Sequence, residues 1–400
     1  MMTVRLYYDD AALHEFDATV VRSEPRGGGA GVWLDRTAFY PASGGQPFDV
    51  GTLGADAVVA VEEDDAGDIV HLLHARAVAP EPGSVLRGTI DWARRFDHMQ
   101  QHSGQHVLSA VVERLFTART ISFHLGAATS TIDLDRELSP VQVSRGELDA
   151  NRTVWDDVPL VIRYVTDAEA RSLPLRKEPS RSGTLRLIEI QGVDLSACGG
   201  THVARTGSIG QIAITAWERF KGGQRIEFAC GGRALARHAQ LRDTAAAATR
   251  LLSVSPDELT GAIERLQGES KDLRRTLAEA QTGLAAHEAA ALAETAEPVD
   301  GARVLLRIID GDANRLKALA TAVASRPGFL ALLVSQSTPS LAVLARSADV
   351  AISCQEVIGK LAKAFSGRGG GKPDLAQCGG LQAPPEAIIA WLDDVVRGRR

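Results

Sequence analysis

Three histidines stand at even spacing in the stretch FDHMQQHSGQHVLSA: His98, His102 and His106, out of ten in the chain. Evenly spaced imidazoles suggest a metal site, because a neutral ring nitrogen is a good donor to zinc and similar ions. On a helix, positions four apart share one face within about 6 Å, so a pair there can meet one ion. Positions eight apart are separated by roughly 12 Å along the axis, at about 1.5 Å per residue. His98 and His106 therefore cannot share an ion on a regular helix. The site uses one pair, not all three. Taken alone, the spacing also fits solvated or capping histidines.

A second stretch, SACGGTHVARTG, offers further donors. Cys198 and His202 are four apart, and Gly199 and Gly200 permit a tight turn between them. A thiolate and an imidazole complete an imidazole pair into a four-coordinate zinc set. The competing reading makes Cys198 a small buried hydrophobe. Two stretches could face phosphate. In SGRGGGKPDLAQCGG, Arg368, Gly369, Gly370, Gly371 and Lys372 offer backbone N–H groups and cationic heads. The G-x-x-x-x-G-K-[ST] spacing is absent and Pro373 follows the lysine, so a nucleotide-triphosphate loop is not expected. LRKEPSRSGTLR, with Arg176, Lys177, Arg181 and Arg186, is the second candidate. Solvated loop charges explain both stretches equally well.

These residues need a scaffold, and 400 residues are enough for two to four domains. Residues 1–93 read as a β-rich, barrel-like module of short alternating runs such as ATVVRSE, GVWLDRTAFY and SVLRGTIDW, punctuated by RGGGAG, PASGGQ and PEPGS. The period changes near Arg94. Val107, Leu108, Val111, Val112 and Leu115 mark a helix, TISFHLGAATSTIDLD a strand pair, and Ser139-Pro140 a helix start. Residues 94–235 thus form an α+β unit. Over 236–298, Leu259, Ile263, Leu266, Ser270, Leu273, Leu277, Ala280, Leu284, His287 and Ala291 repeat with alternating spacings of four and three. That pattern predicts a coiled coil or helical hairpin, or else an amphipathic helix packed on its own protein. Residues 299–400 alternate strand and helix patterns, suggesting a small α/β domain of βαβ type. The fold class is α+β.

Charge is nearly balanced, 44 Lys plus Arg against 50 Asp plus Glu, which excludes a basic surface over the whole chain but not local patches. The N-terminus lacks a signal-peptide core and no run of 18 apolar residues occurs, so no membrane association is expected. Four cysteines far apart fit reduced thiols in a cytoplasmic protein.

HSGQHVLSA, CGGTHV and DRTAFYPASGGQPFDVGTL together resemble the editing domain of alanyl-tRNA synthetases and its free-standing relatives, the alanyl-tRNA editing proteins. SGRGGGKPDLAQCGG resembles the DHHA1 signature that follows this domain in synthetases and in the long AlaX form, except that Cys378 stands where a third glycine is usual. The resemblance implies zinc held by His102, His106, Cys198 and His202. His98 is then left over, as a helix-start or RNA-facing residue. It also implies hydrolysis of serine, or glycine, from alanine-specific tRNA, with Thr37 sensing the serine hydroxyl. Gln46, Ser122 and His124 are further candidates for the pocket. The seam and the DHHA1-like domain together suggest a homodimer. No aminoacylation core precedes the β-rich part, so an adenylate-forming ligase is not expected. Two other readings stay open: a zinc-stabilised tRNA-binding module without turnover, and a DHH-type phosphoesterase. The latter is disfavoured because the sequence has no Asp-His-His triplet.

Overall fold

Alternating apolar residues close the first part of the chain into a six-stranded barrel, from strands Glu15–Arg26, Gly29–Leu34, Ile69–Leu73, Asp56–Glu63, Gly51–Leu53 and Val85–Ile90 in spatial order. Closure leaves no unpaired edge. Phe16, Val20, Val32, Leu34, Val61, Ile69 and Ile90 fill the interior. The computed structural model describes residues 2–177 and 183–399, which form two compact units, Met1–Ala247 and Ala248–Arg400.

The rest of the first unit is mixed α+β. Helix α1 (Trp92–Phe116) starts at Asp91, whose side chain accepts the Arg94 N–H. Val107, Leu108, Val111 and Val112 of α1 share a core with Ile132, Ile226 and Phe228 of a four-stranded antiparallel sheet. Helix and sheet pack closely at Gly104, where a Cβ would lie 2.2 Å from Cys230 Sγ. Helix α2 (Pro140–Trp155) begins as the sequence predicts, Ser139 and Gln142 forming a capping box with Pro140 in the first turn. A three-stranded sheet, Leu160–Thr166, Thr184–Ile190 and Asp194–Ala197, carries the one-turn helix α3 (Asp167–Ala170). Helix α4 (Gly231–Leu252) follows the last strand of the four-stranded sheet.

In the second unit, helix α5 (Leu259–Ala293) is continuous over 35 residues. It packs through Ala285, Ala289 and Ala293. The predicted seam lies on another face, where Leu266, Leu273, Leu277 and Leu284 are all more than half exposed. The packed-on-itself alternative therefore fails for these leucines. A six-stranded mixed sheet carries α6 (Ala313–Ala324), α7 (Cys354–Ala364) and α8 (Pro385–Val396). Ala302–Ile309 pairs in parallel with Phe329–Ser335 across α6, the expected βαβ unit, and the remaining pairings are antiparallel. Cys378 sits inside the strand Leu375–Leu381, paired with Ala342 and Gly369, so no turn is required where the signature's glycine is missing. No helix among the described residues is long and apolar enough to cross a membrane.

Two histidines are kept neutral inside the first unit. His71, in the barrel, is pushed down to about 4 by burial. His98 is likewise lowered to about 4 by burial and by the nearby Arg94 charge. His98 lies inside α1 and is only 2% exposed, so it is neither a helix-start nor an RNA-facing residue. The helix turns it inward because its neighbours Met99 and Gln101 are buried as well. Between about pH 6.5 and 4 the unfolded chain binds these protons and the folded one does not. Stability must therefore fall with acidification, by about 1.4 kcal/mol per pH unit per histidine at most. Urea midpoints between pH 7 and 4.5 should fall, and fall less steeply in His71→Gln.

Candidate metal centre and its cleft

Helix α1 presents His102 and His106 one turn apart, with ring centroids 5.3 Å from each other. The turn after strand Asp194–Ala197 brings Cys198 and His202 to the same point. Cys198 Sγ lies 3.4 Å from His102 Nε2 and 3.4 Å from His202 Nε2. Donor atoms of His102, His106, Cys198 and His202 all fall within 4.8 Å of one another. Among the described residues no other such group occurs.

Each imidazole is oriented by a partner on its far nitrogen. His102 Nδ1 donates to Gln46 Oε1 at 2.8 Å, since an amide oxygen can only accept. Gln46 is itself fixed by Thr201, donating to its hydroxyl at 2.8 Å and accepting its N–H at 3.2 Å. His106 Nδ1 donates to Asp194 Oδ2 at 2.8 Å, and Arg176 Nε donates to the other carboxylate oxygen at 2.6 Å. His202 Nδ1 lies 3.2 Å from Ser103 Oγ, which accepts the Val203 N–H. Outer partners of this kind fix the tautomer and leave Nε2 free for an ion. Three free imidazole nitrogens and a thiol sulfur around one buried point are the donor chemistry that zinc takes.

For Cys198 and His202 the electrostatics favour the ligating forms, whereas at His106 an arriving ion must displace a proton. Burial alone would raise the Cys198 thiol, but the adjacent His102 and His202 bring it well below its usual range, so the thiolate is favoured. His202 is lowered to about 3 by burial and by the neighbouring His102 ring. Burial works against Asp194 ionising, yet His106 and Arg176 hold it below the ordinary carboxylate range. Burial would lower His106, but hydrogen bonds to Asp194 and Cys198 outweigh it and raise the ring to about 9.

Gly200 is required by this packing. A Cβ there would sit 2.2 Å from His102 Cε1 and 3.0 Å from Gln46 Oε1. Because Gln46 holds the ring, it cannot swing aside freely. Gly200→Ala is expected to weaken zinc binding about 10- to 100-fold, the range seen when the partners of a metal-bound histidine are disturbed. Competition with a chromophoric chelator measures it.

His102, His106 and Cys198 open onto a cavity of about 470 Å³. Among the described residues its charged lining consists of Arg5, Arg176, Lys177 and Arg186 beside the histidines, with no Asp or Glu. Tyr7, Tyr8, Tyr40, Phe123 and Tyr164 supply aromatic wall.

The structure distributes the other sequence candidates differently. Thr37 is fully buried and does not line the cavity. Its hydroxyl donates to His71 Nε2 at 2.8 Å and accepts the Phe39 N–H at 3.1 Å, because His71 Nδ1 must donate to Val32 O. Gln46 stands behind His102 instead of in the cavity wall. Ser122 and His124 do share one face of strand Thr120–Leu125, but it is the outer face. There Ser122 donates to Asp133 Oδ2 at 2.6 Å, and the intervening Phe123 faces the His102 ring. Ser122 reaches the cavity rim, whereas the exposed His124 does not. In the expected RNA-facing stretch, Arg186 is a buried strand residue and Arg176 is paired with Asp194, and both line the cleft together with the exposed Lys177. Arg181 lies outside the described residues. Arg368–Gly371 is an exposed edge strand of the second unit's sheet, with Lys372 at its turn. Sequence reasoning missed Asp194. The signal was there: Asp194, Ser196 and Cys198 alternate along a strand and therefore share one face.

The chain is similar along nearly its whole length to the alanyl-tRNA editing protein AlaX-L of Pyrococcus horikoshii, 30% identical over 97% of each chain. It belongs to the alanyl-tRNA editing protein family. The family assignment is supported by Aarsd1 of Mus musculus, an alanyl-tRNA editing protein 32% identical over 91% of this chain and 90% of that one. Two domain models also match: the threonyl and alanyl tRNA synthetase second additional domain over residues 185–227, and the DHHA1 domain over residues 301–397. The alanine–tRNA ligase of Natronomonas pharaonis is 33% identical, the alignment spanning 98% of this chain but 44% of that enzyme.

Proposed function

We propose that this editing-family chain is a trans-editing deacylase that hydrolyses the ester of alanine-specific tRNA mischarged with serine or glycine. One observation carries the reading: a buried set of three imidazoles and a thiolate opens onto a cleft whose described lining is cationic and aromatic. Such a lining suits a single-stranded RNA end, since cations meet phosphate and aromatic rings stack on bases. His102, His106, Cys198 and His202 would hold zinc, which when bound polarises an ester carbonyl and acidifies water.

The chain's own residues do the rest. Asp194 and Gln46 hold the Nδ1 protons of His106 and His102, and Tyr40 and Phe123 line the cavity beside them. For Thr37 to sense the serine hydroxyl, as the resemblance implies, its own hydroxyl must exchange His71 for the substrate across the pairing with the cavity-lining Arg5. A site built to hydrogen-bond a hydroxyl rejects the analogue lacking it. Arg368, Gly369, Gly370, Gly371 and Lys372 are proposed as a separate tRNA-backbone contact, and the exposed α5 seam with the DHHA1-like domain as a homodimer interface. On this reading 1–93 and 94–235 form the editing half, 236–298 the arm and 299–400 the DHHA1-like domain.

Four protein donors also make a closed set of the kind found in structural sites. That favours, as a second reading, a zinc-stabilised tRNA-binding module without turnover. Release of labelled amino acid from seryl-, glycyl- and alanyl-tRNA(Ala), with and without zinc removed, separates the two. Fast serine release with alanine intact supports the deacylase. Tight tRNA binding without release supports the module.

A further inference from the structure

Helix α1 brings one more polar side chain to the cavity. Gln105 stands next to His106 and three residues after His102, lines the cavity with both, and is only 2% exposed. Residues three and four apart share a helix face, so His102, Gln105 and Ser109 form one row along α1. Gln105 Nε2 donates to Ser109 Oγ at 2.8 Å. Ser109 is fully buried and is held in turn by Thr120 Oγ1 at 2.8 Å, from the start of strand Thr120–Leu125. The amide is therefore anchored by its nitrogen from inside the protein.

The oxygen end is free. Among the described residues no donor reaches Gln105 Oε1. Nor is this oxygen sealed off: the enclosed side-chain atoms without a partner are Tyr7 Oη, His98 Nδ1, Ser130 Oγ and Arg186 Nη2. An oxygen neither bonded nor enclosed, on a side chain that lines the cavity, opens onto that cavity. Other hydroxyls of the lining are committed, Ser196 Oγ to Asp194 at 3.0 and 3.1 Å and Tyr40 Oη to Ser43 O at 3.1 Å. Gln105 Oε1 is thus an oriented acceptor beside the His102–His106 pair. A seryl ester carries one donor that alanyl and glycyl esters lack, the side-chain hydroxyl. We infer that Gln105 is a specificity-determining residue whose amide oxygen accepts the hydrogen bond of the serine hydroxyl. The inference rests on reading the cavity as the seat of a seryl ester. Thr37 reaches that hydroxyl only by giving up His71, whereas Gln105 already faces the cavity. An alanyl ester would strip water from the oxygen and return no donor, which disfavours it.

The test uses the amide-linked 3′-seryl and 3′-alanyl analogues of adenosine, which resist hydrolysis, binding to the zinc-loaded full chain by calorimetry. Wild type should prefer the seryl analogue by about tenfold or more, the scale of one buried polar group paired or left unpaired. Gln105→Met keeps the length and drops the amide, and should remove most of that preference at unchanged zinc content. Gln105→Asn, polar but one methylene shorter, should act in the same direction and guards against a folding defect in the first variant. Thr37→Val should keep the preference. In deacylation, Gln105→Met should slow serine release from tRNA(Ala) about tenfold more than glycine release, because only serine has the hydroxyl. A role confined to holding Ser109 would slow both alike. No seryl preference in wild type, or one that survives in Gln105→Met and is lost in Thr37→Val, overturns the assignment. If the preference is present and lost in Gln105→Met while no amino acid is released from any tRNA, the hydroxyl contact stands and the deacylase reading falls.

Discussion

On the proposed deacylase reading, Cys198→Ala should purify with almost no zinc and deacylate seryl-tRNA(Ala) at least about 100-fold more slowly, since a missing ligand costs more than a disturbed outer partner. The thiol sulfur is the one donor in contact distance of two imidazoles, 3.4 Å from His102 Nε2 and from His202 Nε2. Alanine removes that donor and the negative charge that offsets the ion. Three buried imidazoles are then left facing one another with nothing anionic between them. His106→Ala should behave alike, and Asp194→Asn more mildly, because it weakens a ligand's orientation without deleting the ligand. Zinc is counted by mass spectrometry on protein exchanged into metal-free buffer. A stoichiometry near one in both Cys198→Ala and His106→Ala would sink the assignment.

Asp49→Ala should destabilise the first unit by about 3–5 kcal/mol, the range for a buried charge stripped of its partner. Asp49 and Arg95 are both fully buried. Arg95 Nε donates to both Asp49 oxygens, at 3.1 and 3.0 Å, and its Nη1 donates to Ala11 O at 2.8 Å. Asp49 also accepts the Tyr40 N–H at 2.7 Å. This cluster ties the start of α1 to the loop that carries Tyr40 and Gln46, and so sets the distance between His102 and its orienting amide. The loss should lower the melting temperature by about 10 °C for a unit of this size. Asp49→Ala combined with Arg95→Met should recover much of it, because the uncompensated charge is gone. Equal loss in the single and double variants would show that packing, rather than the unpaired guanidinium, sets the effect.

The sequence by itself determined the donors, the sheet and helix patterns, and the family. His102, His106, Cys198 and His202 are visible because their spacings are short, and the barrel, the Ser139–Pro140 start and the βαβ unit because their signals are local. The exclusion of a His98–His106 pair also needed only the helical rise. What each side chain does next depended on the tertiary structure. The orienting partners of His102, His106 and His202 lie 56, 88 and 99 residues away in the chain, so no periodicity points to them. The same holds for His98, turned into the core, and for Thr37, whose hydroxyl is committed to a histidine 34 residues away. A motif records which atoms can bind an ion. Which nitrogen is free to do so, and which cations gather around it, is set by contacts between segments that only folding brings together.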